Sequence, residues 1–196
     1  MQKIIPQDAI LIPENADKVF SGQIFDVYQW PQKMFDSSTQ TFEMLKRPDT
    51  VQTLGVKEGK LVMIKDEQPG RPAQVFPPRG RVDSEDANWL NAAKREMREE
   101  TGMTFKNWRL IEVLQPAAKI EWFVATFLAT DFITQHEQQL DNGEKIEFWL
   151  ESVEKIRELS LNGTYVSYLR PLFSKVSNLQ ELLALPEFSG KQIEQS

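Results

Sequence analysis

One segment constrains this chain more than any other: residues Arg95–Met103, with the sequence REMREETGM. It is typical of the second half of a helix, because Leu90, Ala93 and Met97 recur at the spacing of one helical face. Gly102 stands where helices often end in a left-handed residue. We therefore predict an amphipathic helix that ends at this glycine.

Three carboxylates lie off the apolar face of this helix, which we expect to span about residues 85–101. Glu96 and Glu100 are four residues apart and Glu99 is three residues after Glu96, so all three share a helix surface. Each like-charged pair costs about 0.2–0.5 kcal/mol. Binding of a hard divalent cation would remove that cost, since Mg²⁺ prefers carboxylate oxygens. The alternative is a solvated face on which Arg95 pairs with Glu99.

The sequence upstream of the helix favours the metal interpretation. Gly80-Arg81-Val82-Asp83 follows the turn-forming pair Pro77-Pro78. Together the two segments resemble the Nudix box, GX5EX7REUXEEXGU, in which U is a bulky aliphatic residue. The matching positions are Gly80, Arg95, Glu96, Met97, Glu99, Glu100, Gly102 and Met103.

The chain departs from the Nudix box at one place. Counted forward from Gly80, the first Glu of the box falls on Asp86, and counted back from Arg95 it falls on Ala87. One residue is therefore extra between loop and helix, and Glu85 or Asp86 is the candidate to replace that Glu. The three helix carboxylates are unaffected by the insertion.

Nudix enzymes hydrolyse a nucleoside diphosphate linked to another moiety and use Mg²⁺, with Mn²⁺ as the alternative ion here. The resemblance implies that Glu96 and Glu100 are the principal metal ligands. Glu99 is implied as a further ligand or a catalytic group beside the metal, and Arg95 as the residue that orients Glu99. Gly80 would let the loop backbone approach the helix and the metal closely.

Outside the box the chain is similar to the ADP-ribose pyrophosphatase branch of the family. That resemblance implies substrate contacts from Phe20, which would stack on adenine, and from Arg47 and Arg71, whose forks suit a diphosphate. Pro116 and the acidic Glu121 stand near the position of a proline and an acidic residue of that branch. The alternatives are an interface aromatic, surface charges and an ordinary turn between strands.

The branch carries its catalytic base, a Glu, on a mobile loop before the last strand, and residues 141–147 resemble that loop. We expect Glu144 to be the base, because it precedes the predicted strand, whereas Glu147 would lie within it. Its alternative role is that of a solvated loop residue. His136, the single histidine, has no metal-ligand spacing and is expected to be solvated.

The order of predicted elements indicates an α/β protein, a Nudix-like α/β/α sandwich with a mixed sheet, preceded by a small N-terminal antiparallel sheet. We predict an N-terminal β subdomain at 1–48, for dimerisation and substrate contacts, and a hydrolase domain at 49–196 with C-terminal helices. We expect a short strand at 9–12, helical segments within 164–176, and a frayed end over the last ten residues.

Composition limits the partners. The 196-residue chain has a net charge of −6 and no basic block, which argues against nucleic-acid binding. It has no cysteine, no basic start followed by an apolar run, and no apolar stretch of about 20 residues, so we expect a cytoplasmic protein without membrane contact. The resemblance implies a homodimer that exchanges its N-terminal sheets.

The resemblance implies Mg²⁺-dependent hydrolysis of a nucleotide sugar, with ADP-ribose giving AMP and ribose 5-phosphate. One alternative is another nucleotide sugar, such as GDP-mannose. A second alternative is a Nudix-like module that senses a nucleotide sugar without cleaving it. The three intact helix carboxylates favour catalysis, and the extra residue before the helix is the feature that favours sensing.

Overall fold

The computed structural model describes residues 2–164 and 167–194. The strands are β1 Gln2–Ile5, β2 Asp17–Ser21, β3 Asp26–Lys33, β4 Thr39–Lys46, β5 Thr50–Lys57, β6 Lys60–Gln68, β7 Arg71–Phe76, β8 Arg79–Arg81, β9 Met103–Leu114, β10 Ile120–Glu121, β11 Val124–Gln135, β12 Lys145–Glu151 and β13 Lys191–Glu194. The helices are α1 Trp89–Thr101, α2 Val153–Leu161, α3 Arg170–Phe173 and α4 Leu179–Ala184, with a 3₁₀ turn at Ser167–Leu169 before α3.

The main sheet is mixed and lies between helices. Its strand order is β12-β6-β5-β11-β9, with β7 beside β6 and β8 beside β5. β5 and β11 run parallel, whereas β11 and β9 are antiparallel. One face packs on α1 through Ala92, Ala93 and Met97, and the other packs on α2 and α3 through Ile156 and Phe173. The predicted α/β/α sandwich with a mixed sheet is confirmed.

Two smaller sheets flank the main one. The N-terminal sheet has the order β10-β4-β3-β2, antiparallel throughout except where the short β10 joins β4 in parallel. Every residue of β2 is exposed, so this strand is an open edge. The chain ends meet in the other sheet, where β1 pairs antiparallel with β13. Within the described residues, no helix is long and apolar enough to span a membrane.

Several boundaries differ from the sequence predictions. Helix α1 starts at Trp89 rather than near residue 85, because Asn88 caps it by accepting a hydrogen bond from the Asn91 N–H. Residues 9–12 are irregular, and the expected frayed end instead contains β13, which β1 holds in place. The helix expected within 164–176 is reduced to the 3₁₀ turn and α3, and its residues 165–166 lie outside the described part.

Candidate active site

Helix α1 presents its polar face to the short strand β8. Its residues Ala92, Ala93 and Met97 are fully buried against the main sheet, which fixes the rotation of the helix about its axis. The helix ends at Gly102, whose φ of 70° is left-handed and whose N–H donates to the Arg98 carbonyl. Glu96 and Glu100 follow the buried Ala92 at intervals of four residues, so they lie on the inward side of the helix, against the backbone of β8, and Glu100 is itself buried.

The contact between β8 and α1 leaves no space for a side chain at Gly80. A Cβ atom built there would lie 2.1 Å from the carboxyl carbon of Glu96. One residue earlier, the backbone N–H of Arg79 donates to Oε2 of Glu100 at 2.8 Å. A glycine at position 80 therefore brings two carboxylates of the helix against the strand backbone.

Arg95 organises the acidic groups around it. Its Nη1 donates to Glu96 at 2.8 Å and to Glu99 at 3.0 Å. Its Nε and Nη2 bind both oxygens of Asp86, at 3.1 and 2.8 Å, and Nη2 also donates to the Arg81 carbonyl at 2.9 Å. Of the two candidates for the first Glu of the box, Glu85 and Asp86, it is therefore Asp86 that binds Arg95.

Burial dominates the electrostatics of the acidic cluster. Burial raises the pKa of Glu96 to about 7, with the charges of Glu99 and Glu144 acting in the same direction and Arg95 opposing them. Burial, together with the charges of Glu96 and Glu144, raises the pKa of Glu100 well above its usual range. Burial also raises the pKa of Glu144. These carboxylates are hydrogen-bonded but short of positive charge.

The carboxylate oxygens of this cluster are suitable ligands for a hard cation, but their side chains do not converge on one point. Over residues 2–164 and 167–194, no three His, Cys, Asp or Glu side chains converge as ligands of one metal ion. Two carboxylates, Glu96 and Glu100, nevertheless share one helix face, and the charge of Glu96 raises the pKa of Glu100. A divalent cation between them would relieve that unfavourable burial, so the chemistry of this pair fits Mg²⁺.

A cleft of about 590 Å³ opens over this surface of α1. The predicted site residues that line it are Arg47, Arg71, Gly80, Arg95, Glu96, Glu99, Glu100 and Glu144. Arg47 directly follows β4, Arg71 is in β7 and Glu144 is in the loop before β12. Elements far apart in sequence therefore place cations and carboxylates around one cavity.

Comparison with protein families decides the classification. A model described as NUDIX domain matches residues 46–171, which is more than half of the chain. The chain belongs to the Nudix family. Members of this family are hydrolases that generally use a divalent metal ion such as Mg²⁺ and act on small nucleoside diphosphate substrates.

Solved structures agree with the Nudix fold at low sequence identity. A structure titled as an ADP compounds hydrolase is 15% identical, with a TM-score of 0.60 over 92% of this chain and 95% of that one. A NUDIX hydrolase from Nitrosomonas europaea is 18% identical, with a TM-score of 0.54 over 70% of this chain and 88% of that one. No curated protein sequence matches significantly.

Three residues predicted from the resemblance lie away from the Nudix cleft. Phe20 is 60% exposed on the edge strand β2, and Pro116 is exposed in the loop after β9. Glu121 pairs with Lys46 at 2.9 Å and accepts a hydrogen bond from the Ile12 N–H at 2.8 Å. Within one copy of the chain, Glu121 therefore ties the N-terminal segment to β4 rather than facing the cleft.

The cleft residues that escaped the sequence analysis include Asp66, Arg79, Trp122 and Tyr168. Arg79 directly precedes the box glycine, Gly80. That adjacency was the one sequence signal that could have placed Arg79 near the carboxylates. Tyr168 comes from the 3₁₀ turn before α3 and meets the Trp122 ring edge-on at 5.6 Å. Its approach depends on the packing of the C-terminal helices, which no local pattern encodes.

Proposed function

We propose that the chain catalyses Mg²⁺-dependent hydrolysis of the diphosphate bond of a nucleotide sugar, with ADP-ribose as substrate and AMP and ribose 5-phosphate as products. The observation that carries the proposal is the opposition of charges in one cleft. The carboxylates Glu96, Glu99 and Glu100 of α1 line the same cavity as Arg47 and Arg71. A metal-bound diphosphate is a ligand that needs both kinds of group.

The charged residues of α1 that line the cleft and the glycine of β8 each have a defined role in this proposal. Glu96 and Glu100 hold Mg²⁺, with Glu99 as a further ligand and Gly80 giving the backbone access. The bound ion would neutralise the diphosphate and polarise phosphorus. Arg95 keeps Glu96 and Glu99 in place through the two hydrogen bonds that its Nη1 donates to them.

Glu144 is the proposed general base. It lines the cleft, whereas Glu147 is exposed within β12 and does not. Because burial raises the pKa of Glu144, its carboxylate has more affinity for a proton than an exposed one. From the loop before β12 it would take the proton of the attacking water while Arg47 and Arg71 hold the diphosphate.

The N-terminal residues belong to the proposal through a second copy of the chain. Residues 1–48 include the exposed edge strand β2, on which Val19 is 51% and Phe20 60% exposed. An apolar open edge favours pairing with another chain. In a homodimer, such pairing would bring Phe20, Pro116 and Glu121 to substrate contacts that one copy does not make. Light scattering tests this, and a monomer would remove these three residues from the site.

A panel assay tests the activity itself. Purified protein is incubated with ADP-ribose, GDP-mannose, UDP-glucose, NADH and diadenosine polyphosphates, with and without Mg²⁺, and added alkaline phosphatase releases inorganic phosphate from the phosphomonoester products for detection. Turnover concentrated on ADP-ribose and dependent on Mg²⁺ is the expected result. Turnover confined to GDP-mannose would identify GDP-mannose as the substrate in place of ADP-ribose. Tight binding of a nucleotide sugar without any turnover would favour the sensing module.

Glu100→Gln separates catalysis from sensing. Removal of a metal ligand is expected to lower kcat by several orders of magnitude, since the ion acts on the reacting phosphate. The substitution keeps the side-chain shape and an acceptor for the Arg79 N–H, so the fold should be retained in circular dichroism. Near-normal turnover of this variant would contradict the metal assignment.

A further inference from the structure

Two arginines in the cleft have no carboxylate partner. The other cleft arginines form ion pairs, Arg71 with Asp66, Arg81 with Asp83 and Arg95 with Asp86. Among residues 2–164 and 167–194, no carboxylate lies within ion-pair distance of Arg47 or Arg79, and the buried Nε of Arg47 has no hydrogen-bond partner.

Aromatic rings hold these two guanidinium groups instead. The guanidinium carbon of Arg79 lies 3.6 Å from the centre of the Phe76 ring and 5.9 Å from that of Tyr168. That of Arg47 lies 4.5 Å from the Trp122 ring. An aromatic ring attracts the flat face of a guanidinium, which leaves its in-plane N–H groups available to oxygen atoms.

The surroundings of Arg79 fix its orientation. Phe76 is only 2% exposed, so its ring is immobilised in the core. Tyr168 is held in turn by the edge-on contact with Trp122, whose indole N–H donates to Thr50 Oγ1 at 3.1 Å. Arg79 is therefore a half-buried cation with a fixed direction and, among the described residues, no carboxylate at ion-pair distance. Such burial is costly unless a ligand supplies a paired anion.

Arg79 serves the carboxylate end of the cleft. Its own backbone N–H donates to Glu100, and the next residue, Gly80, touches Glu96. Arg47 has different neighbours, the Trp122 ring and, at 5.6 Å, the Phe25 ring of the N-terminal region. The two free cations thus mark separate positions along the cavity.

We propose that Arg79 binds the phosphate of a nucleoside diphosphate that lies next to the α1 carboxylates, and that Phe76 and Tyr168 position its guanidinium for that contact. The inference deepens the proposed function and rests on it for the chemical class of the ligand. It assigns the phosphate nearest the α1 carboxylates to Arg79, in addition to the diphosphate contacts proposed for Arg47 and Arg71.

The test compares ADP binding to wild type, Arg79→Gln, Arg79→Lys and Arg98→Gln by titration calorimetry in Mg²⁺. Arg98 is the matched control, because it loses the same charge from an exposed position on α1 outside the cleft. Loss of a charged hydrogen-bonding pair predicts that Arg79→Gln weakens ADP binding about 10- to 100-fold. Arg79→Lys should fall between, since it keeps the charge and loses the fork.

Adenosine binding provides a second control, because adenosine has no phosphate and should bind wild type and Arg79→Gln alike. The positioning role of Tyr168 is tested in two backgrounds. Tyr168→Ala should weaken ADP binding in wild type and have little further effect in Arg79→Gln, whereas Tyr168→Phe should bind like wild type. An equal loss in both backgrounds would contradict positioning. Thermal unfolding checks that each variant is folded.

The outcomes separate this inference from the proposed function. Wild type that turns over no nucleotide sugar, yet binds ADP in a manner that depends on Arg79, overturns the activity and supports the phosphate contact. Equal ADP affinity in wild type and Arg79→Gln overturns the contact, even where hydrolysis of ADP-ribose is observed. Failure of wild type to bind ADP also overturns it.

Discussion

At the scale of single residues, the proposed role of a side chain depends on whether it reaches the cleft. Glu144 and Glu147 carry the same charge and are three residues apart, yet only Glu144 lines the cleft. The strand β12 starts between them and turns Glu147 to solvent. Proton transfer needs contact with the attacking water, so position rather than residue type is the reason why we propose Glu144 as the base.

Glu144→Gln is expected to lower kcat much more than it raises KM, because a general base acts in the transition state. Glu147→Gln removes the same charge from the exposed strand face and should leave both constants nearly unchanged. Steady-state kinetics with ADP-ribose measure both variants. A large kcat loss in Glu147→Gln, with Glu144→Gln near wild type, would assign the base to Glu147.

Gly80→Ala tests the close approach of β8 to α1. The added methyl group would lie 2.1 Å from the Glu96 carboxyl carbon, and this carboxyl can swing away because it ends a flexible side chain. We expect an almost unchanged Tm and a kcat lowered about 100-fold, as for a misplaced catalytic group. Unchanged kcat in Gly80→Ala would contradict the tight contact.

At the scale of elements, α1 is defined by its two ends. Asn88 caps the start, and its side chain accepts from the Asn91 N–H at 2.9 Å. At the other end, Gly102 adopts a left-handed conformation beneath the backbone of His136, whose N–H donates to the Gly102 carbonyl at 2.9 Å. The C-terminal cap is therefore tied to the loop after β11, whereas the N-terminal cap is local.

Gly102→Ala should consequently destabilise the protein more than Asn88→Ala. The cap substitution loses one hydrogen bond, at about 1 kcal/mol. The alanine at 102 adds about 1–2 kcal/mol of left-handed strain, and its Cβ would also lie 1.9 Å from the His136 carbonyl oxygen. Urea unfolding of both variants measures the difference, with Asn88→Asp as the control that keeps a cap. A larger loss in Asn88→Ala would contradict this ranking.

At the scale of the whole molecule, one buried carboxylate forms hydrogen bonds with three separate parts of the chain. Asp49, 5% exposed, binds Lys3 of β1 at 2.5 Å, the Trp89 indole of α1 at 3.0 Å and the Phe123 N–H at 3.0 Å. The strand β1, the start of α1 and the start of β11 are thus connected at one carboxylate. Because each contact is distant in sequence, only the complete fold satisfies this group.

The stability of the whole molecule should depend on Glu112, a buried residue of β9. Burial raises the pKa of Glu112 to about 7 from an ordinary value of 4.5, and Lys175 only partly opposes this. Its Oε2 has no hydrogen-bond partner among the described residues. The folded state therefore binds more protons than the unfolded state between these two values, so stability decreases as pH rises through them.

In wild type without metal, Glu112 should lower the free energy of unfolding by about 3 kcal/mol as the pH rises from 4.5 to 7. Above that range this group should cause no further change. Glu112→Gln should remove this part of the pH dependence, whereas Glu137→Gln, on the exposed loop after β11, should keep it. Urea unfolding at a series of pH values measures all three proteins. Parallel pH profiles for wild type and Glu112→Gln would contradict the assignment.

The sequence by itself determined helix α1 and the spacing of its carboxylates. Helical periodicity from Leu90 to Met97, a terminal Gly102 and three carboxylates at fixed spacing are local properties, so they predicted α1, its end and its acidic face. The alternating and β-branched runs likewise predicted the strands of a mixed α/β protein. The start of α1 was placed too early, because an Asn cap at 88 competes with the helix-forming residues before it.

Only the tertiary structure decided what meets in the cleft. The selection of Asp86 to bind Arg95, the ion pair that occupies Arg71 and the aromatic contacts of Arg79 all join segments that are separate in sequence. The same holds for the pairing of β1 with β13, which ordered a chain end expected to fray. Long-range packing determines which side chains find partners, whereas periodicity and spacing report only on neighbours along one element.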